Sequence, residues 1–223
     1  MERVAIEKKV LSENDRIAQA LRARFAAGGT LVLNCISSPG SGKTSLLERT
    51  LEGFTRDTRV AVVTGDIQTD NDARRLARFS FPVRQITTAG ACHLDARMVE
   101  KSLEGWDLGR LDLLLIENVG NLVCPTSYDL GEEAKIVILS VTEGDDKPLK
   151  YPGAFAKSCL MVLNKIDLLP YVPFDIEAAR RNARSIHPEM EIIETSCTTG
   201  RGLDVWRRWI EERMRAAVKA PRG

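Results

Sequence analysis

Cys92 and His93 set a thiol beside an imidazole in a chain that holds only five cysteines and two histidines. Both are donors suited to Zn2+ or Ni2+. In a strand the two side chains would face opposite ways, so joint ligation needs a turn or a helix start, and TAGACHLDARM supplies one. Taken alone, the pair reads more simply as a helix start with a small apolar thiol and a surface imidazole. Cys124 changes that balance. It stands in ENVGNLVCP, seven residues past Glu117, and gives two thiolates and one imidazole, one ligand short of tetrahedral zinc. Water or a two-fold partner could fill the gap. Cys35 in LVLNCIS and Cys159 in CLMVLN sit in apolar runs and read as buried structural thiols.

A second constellation is SSPGSGKTSLL. Gly40, Ser41, Gly42, Lys43, Thr44 and Ser45 form the end of a G-x-x-x-x-G-K-[ST] phosphate loop whose first glycine position is Ser37. Glycines let backbone N–H groups curl around phosphate oxygens, and the helix N-terminus adds its dipole. Lys43 reaches the β and γ oxygens, and the Thr44 hydroxyl ligates Mg2+. Downstream, NKID places Asn164, Lys165 and Asp167 after an apolar run. A carboxylate at Asp167 accepts from the guanine N1–H and N2 amine, whereas adenine offers no such donor pair. SCTTGRG, containing Ser196 and Cys197, stands where a second base-contacting loop belongs. A site built around particular donors rejects the analogue that lacks them by roughly 10⁴–10⁵. GTP and GDP are therefore the expected nucleotides.

The acids needed near the phosphates are present. Glu117, next to last in LDLLLIEN, faces the phosphate loop as a magnesium-side carboxylate, with Gly120 free to turn an N–H toward the γ-phosphate. Asp66, just past RVAVVTG, is a second magnesium partner. Asp72 lies in QTDNDARRL, where it serves either a nucleotide-closing loop or the cap of the helix that follows. No histidine or glutamine is placed to orient water. Arg74, Arg75, Lys147 and Lys150 are the cations that could act across a dimer. Hydrolysis by the isolated chain should be slow, because stabilising groups of this kind contribute about 10³–10⁵ in rate.

These residues need a scaffold, and the apolar pattern provides it. TLVLNCIS, RVAVVTG, PVRQI, LDLLLIEN, AKIVILSV, CLMVLN and EIIETS are short runs separated mostly by segments of helical periodicity. Apolar throughout rather than alternating, they predict strands covered on both faces. The expected fold is α/β, a three-layer P-loop NTPase architecture with a mostly parallel seven-stranded sheet and helices on both faces. Ligands in such sheets bind at the carboxyl ends of strands. SENDRIAQALRARFAAGG predicts an amphipathic helix with Ser12 or Asn14 as cap, closed by Gly28 and Gly29. LDVWRRWIEERMRAAVK spaces Leu203, Trp206, Ile210 and Met214 as a packing stripe. The expected organisation is an N-terminal helix and extension over 1–28, a nucleotide-binding domain over 29–218 and a polar tail over 219–223.

Composition narrows the function classes. The 223 residues carry 32 basic and 31 acidic side chains, a net charge of +1, which leaves no electrostatic footprint for nucleic acid or anionic membrane. No apolar run approaches the roughly 18 residues of a membrane span, and the start lacks a signal-peptide core. A cytoplasmic protein with reduced thiols is expected.

SSPGSGKT, GDIQTDNDA, GACHLDA, ENVGNLVCP and NKID, in this order and spacing, closely resemble the hydrogenase nickel-incorporation GTPases, the HypB family of the SIMIBI class. The resemblance runs from about Ser12 to Val218, and serine at the first loop position is usual in that family. It implies a GTPase that delivers nickel to the [NiFe]-hydrogenase large subunit, dimerises with nucleotide, and acts with a HypA-like nickel- and zinc-binding partner. It also implies Cys92, His93 and Cys124 as metal ligands, Lys43, Thr44, Asp66, Asp72 and Glu117 as phosphate, magnesium and switch residues, and Asn164 and Asp167 as readers of guanine. Some members carry an N-terminal cysteine motif or a histidine-rich tract. Met1 to Ala27 has neither, so high-affinity nickel storage is not expected. Related readings are a GTPase maturing urease or a cobalamin enzyme, and a metal-storage protein with incidental turnover. Urease-associated relatives place Cys-Pro-His after the carboxylate strand, where this chain has Cys124-Pro125-Thr126.

Overall fold

The computed structural model describes residues 2–55 and 57–219. Seven strands form one sheet: β1 (Leu31–Ser37), β2 (Val60–Asp66), β3 (Val83–Thr87), β4 (Leu113–Gly120), β5 (Ala134–Ser140), β6 (Leu160–Asn164) and β7 (Glu191–Glu194). Their order is β3-β2-β4-β1-β5-β6-β7, and every neighbouring pair is parallel. All seven apolar runs are strands. Parallel neighbours need crossover connections, and most are helical: α1 (Glu2–Gly28) precedes β1, and α2 (Lys43–Glu52), α3 (Asn71–Ala77), α4 (Ala96–Ser102), α5 (Lys147–Lys150), α6 (Pro152–Ala156), α7 (Ile176–Ile186) and α8 (Leu203–Lys219) follow.

The period-two alternation of each strand divides the core. Leu31, Leu33 and Cys35 of β1 join Val62, Leu115, Ile136 and Val162 on the face covered by Leu46, Leu47 and Leu51 of α2 and Trp206 and Ile210 of α8. The stripe on α8 is therefore core packing, and the Trp206 indole also donates to Thr50 Oγ1 at 2.8 Å. On the other face, Val32, Val63 and Ile116 meet Ile17, Leu21 and Phe25 of α1 and Val99 of α4. Ile36, Val137 and Met161 meet Phe155 of α6 and Ala183 of α7. Each fully buried Leu, Ile or Phe contributes about 1.5–3 kcal/mol, so the sheet positions its loops rigidly. Cys35 is wholly buried, and burial pushes its thiol up to about 12. Cys159 is likewise raised by burial.

One sequence expectation changes. Neither Ser12 nor Asn14 caps a helix, because α1 begins at Glu2 and both residues fall in its interior. ERVAIEKKVL is rich in good helix formers and carries the helix back past both polar residues. Asn14 is instead buried and bonded to distant backbone. Of the expected polar tail, 220–223 lies outside the described residues. No helix among the described residues is long and apolar enough to cross a membrane.

Candidate nucleotide and metal site

The phosphate loop links β1 to α2 through Gly40 (φ 77°) and Gly42 (φ 91°). Gly42 is the residue before Lys43, the first of α2. A side chain there would be strained by its φ and would bring a Cβ to 2.5 Å from Asn164 Nδ2. The loop borders a cavity of about 840 Å3 lined by Ser37 to Ser45, Asp66, Asp72, Arg75, Gly120 and Lys165, among others. Because β1, β2 and β4 are adjacent and parallel, their carboxyl ends bring this loop, Asp66 and Gly120 to one edge of the sheet.

Glu117 organises the floor. Its side chain is buried, and Oε1 accepts from Lys43 Nζ at 3.1 Å and Thr44 Oγ1 at 2.6 Å. Oε2 is buried with no hydrogen-bond partner among the described residues. A buried carboxylate oxygen without a donor is costly, and an oxygen-loving cation or its water supplies what is missing. Asp66 Oδ1 accepts from the backbone N–H groups of Gln68 at 2.9 Å and Thr69 at 2.7 Å. Burial raises the Asp66 carboxyl, but these hydrogen bonds outweigh it and hold the group below the ordinary range. The donor set of Thr44, Asp66 and Glu117 fits Mg2+ in chemistry.

Asp72 lies within the first turn of α3, and the cap position falls on Asp70, so the capping alternative for Asp72 is corrected. Asp72 lines the cavity and pairs with Arg75 at 3.5 Å. Arg75 was only one of four candidate cations in the sequence, yet it reaches this cavity within its own chain. Its guanidinium donates to Ser45 Oγ at 3.1 Å and to Glu48 at 2.6 Å. Lys147 also approaches the loop, at 3.3 Å from Ser38 Oγ. Arg74 and Lys150 are exposed and pair with Asp70 and Asp146.

The base-side residues brace the loop. Asn164 is buried, and its Nδ2 donates to the Ser41 carbonyl at 3.0 Å. Its Oδ1 accepts from Thr195 Oγ1 at 3.1 Å and from the Cys197 thiol at 3.6 Å. Lys165 adopts φ 62° and donates to the Gly40 carbonyl at 2.6 Å. Asp167 accepts from Ser196 Oγ at 2.6 Å. Burial pushes the Cys197 thiol up to about 11, so it remains a neutral donor.

The structure brings Cys92, His93 and Cys124 together, with their donor atoms all within 4.8 Å of one another. The two sulfurs are 2.8 Å apart. Cys92 and His93 lie in a turn after β3 that passes through Ala89 (φ 50°) and Gly90 (φ 105°) and ends where Asp95 caps α4. His93 stacks on Tyr128 with centroids 3.9 Å apart, and burial lowers its pKa against the pull of Asp95. A neutral imidazole is the ligating form. Cys124 opens a 3-10 turn, and its thiol is raised chiefly by the hydrogen bond to Cys92 and also by burial.

Sequence reasoning missed the two asparagines that join this cluster to the phosphate floor. Asn118 follows Glu117, and its Oδ1 accepts from the Leu94 N–H at 3.1 Å. Asn121 Nδ2 donates to the Cys92 carbonyl at 3.3 Å, while its Oδ1 accepts from the Val123 N–H at 2.9 Å. Leu94 also packs on Gly65, where a Cβ would sit 2.7 Å from the leucine. The recurrence of asparagine in ENVGN was the available signal. Its partners lie on another loop, invisible to local spacing.

A parallel α/β sheet with a glycine-turned phosphate loop at its carboxyl edge, faced by Glu117 and Asp66, defines the class of P-loop nucleotide-binding proteins. The family profile described as "CobW/HypB/UreG, nucleotide-binding domain" matches residues 31–194. A hydrogenase maturation factor HypB of Escherichia coli (strain K12) is 52% identical over 206 residues, spanning 92% of this chain and 71% of that protein. The hydrogenase/urease maturation factor HypB of Helicobacter pylori (strain ATCC 700392 / 26695) is 42% identical over 217 residues, 95% and 88% of the two chains. A crystal structure of Helicobacter pylori HypB in complex with nickel superposes with a TM-score of 0.87 at 38% identity, covering 94% of this chain and 98% of that one. The chain belongs to the HypB family of P-loop GTPases.

Proposed function

We propose that this chain is a GTP-hydrolysing metallochaperone that assists nickel insertion into [NiFe]-hydrogenase, with the thiol–imidazole cluster coupled to the nucleotide switch. The observation that carries this reading is the pair of hydrogen bonds by which Asn118 accepts from the Leu94 N–H and Asn121 donates to the Cys92 carbonyl. They tie the strand bearing Glu117 to the loop bearing two of the three metal donors.

Glu117 Oε1 holds Lys43 and Thr44. With nucleotide bound, Lys43 would serve the β and γ oxygens, and the Thr44 hydroxyl and Glu117 would hold Mg2+. Magnesium supplies charge neutralisation at the phosphates. Asp66 and Asp72 serve the same side, and Arg75 and Lys147 are the cations besides Lys43 that approach the phosphate loop within the chain. Because Asn118 follows Glu117 directly and Asn121 stands four residues on, a rearrangement of Glu117 is felt at Cys92 and at the segment that carries Cys124. Gly40 to Ser45 cradle the phosphates, and Asp167 reads guanine, with Asn164, Lys165, Ser196 and Cys197 holding its loop against the phosphate loop.

The same reading gives the cluster Ni2+ or Zn2+ as cargo and gives the chain a nucleotide-dependent homodimer in the cytoplasm. It includes a HypA-like accessory protein and the hydrogenase large subunit as partners, and a nucleotide-binding domain over 29–218 preceded by an N-terminal helix and extension over 1–28. The relative named for both hydrogenase and urease keeps a urease client as the second reading. Multiple-turnover phosphate release tests the enzymatic half. The expected result is slow, magnesium-dependent hydrolysis of GTP and none of ATP. Asp167→Asn should weaken GTP and relax discrimination against other purines. Equal use of ATP and GTP by the wild type would contradict the guanine assignment.

A further inference from the structure

The two halves of the metal cluster lie on separate loops, and two buried side chains outside the lining of the phosphate cavity hold those loops in register. Asn14 of α1 joins the halves directly. Its Oδ1 accepts from the Ala96 N–H at 2.8 Å, three residues past His93, and its Nδ2 donates to the Asp129 carbonyl at 2.9 Å, five residues past Cys124. Two turns along α1, Arg22 Nη2 grips both carboxylate oxygens of Asp129, at 2.7 and 2.8 Å. On the other side of the Cys124 segment stands Lys135 of β5, only 8% exposed. Its ammonium donates to the carbonyls of Pro125 at 3.0 Å and Tyr128 at 3.1 Å, and it pairs with Glu132 at 3.4 Å. Glu132 is held in turn by Asn34 Nδ2 at 3.0 Å and the Leu130 N–H at 2.7 Å. Tyr128 presents its ring to His93. One buried ammonium thus fixes the backbone next to Cys124 and the ring that orients His93.

We propose that Asn14 and Lys135 are positioning residues of the metal site, fixing the separation between the Cys92–His93 turn and the Cys124 segment. They set metal affinity without touching nucleotide, since neither lines the phosphate cavity. This rests on the reading of Cys92, His93 and Cys124 as ligands. Donor groups held in place bind without a further ordering cost, and losing an outer partner of a metal ligand weakens affinity by roughly 10–100-fold.

The test is Ni2+ titration of the full chain, followed by thiolate-to-nickel absorption, with GDP affinity and thermal unfolding measured on the same samples. Wild type and Cys124→Ser establish the site: without a Cys124-dependent nickel band, the metal reading fails and takes this proposal with it. Given that band, Asn14→Ala should weaken nickel by roughly 10-fold or more with GDP affinity unchanged. Lys135→Arg should keep most of the affinity, and Lys135→Met should lose it. Removing Lys135 strands Glu132 in the interior; if Lys135→Met does not fold, Asn14→Ala decides alone. Unchanged nickel affinity in folded Asn14→Ala overturns the proposal, as does a fall in nickel and GDP affinity by the same factor.

Discussion

Glu117 gives one oxygen, Oε1, to both Lys43 and Thr44. Its contact with Lys43 is almost fully out of water, with side-chain exposures of 2% and 11%. Breaking such a pair by removing one partner costs about 3–5 kcal/mol. Lys43→Ala should therefore lower the stability of the nucleotide-free protein by roughly 3 kcal/mol in urea unfolding as well as abolish GTP binding. A loss confined to binding would show that the pair is not structural. The residue types at this site were legible in the sequence because phosphate loops, acidic strand ends and thiols have few other uses at those spacings. Asn14, Asn118, Asn121 and Lys135 were not legible. Each bonds to backbone, the asparagines across 24 to 115 residues and Lys135 across 7 and 10, and backbone partners leave no trace in residue type.

The seven strands were readable as apolar runs because a sheet covered on both faces demands them, and even the half-exposed edge strand β3 kept enough apolar character. Helix starts were less readable. Capping residues such as Ser12 and Asn14 are also ordinary helix-interior residues when a tertiary contact uses them. The crossing of β2 beneath the metal turn gives an element-scale prediction. Gly65→Ala would place a Cβ 2.7 Å from Leu94, and overpacking of this kind costs about 1–3 kcal/mol. Because Leu94 follows His93, nickel affinity should fall in this variant, which titration of the folded protein checks. At the opposite end of the sheet, Arg59 fastens the start of β2 to Asp112 before β4. The Arg59 guanidinium holds the Asp112 carboxyl below its ordinary value, with burial opposing. A depressed carboxyl stabilises the fold above its unfolded pKa, and that stability is lost as pH falls through the folded one. Asp112→Asn should be slightly less stable than wild type at pH 7, by less than about 1 kcal/mol. The gap should close toward pH 2, and urea unfolding at both pH values measures it.

At the scale of the molecule, one rigid sheet edge carries two chemistries. The phosphate floor and the thiol–imidazole cluster are joined by Asn118, Asn121 and the Leu94–Gly65 contact. On the proposed reading they are therefore energetically linked. Linkage is reciprocal: if nucleotide state changes metal affinity by a factor, metal changes nucleotide affinity by the same factor. The most direct test is Ni2+ affinity of the full chain measured without nucleotide, with GDP, and with a non-hydrolysable GTP analogue, each with Mg2+. The account predicts a difference of at least about 5-fold between the GDP and GTP-analogue states, the lower end of typical coupling. Asn118→Ala should reduce that ratio. Equal affinity in all three states would contradict it.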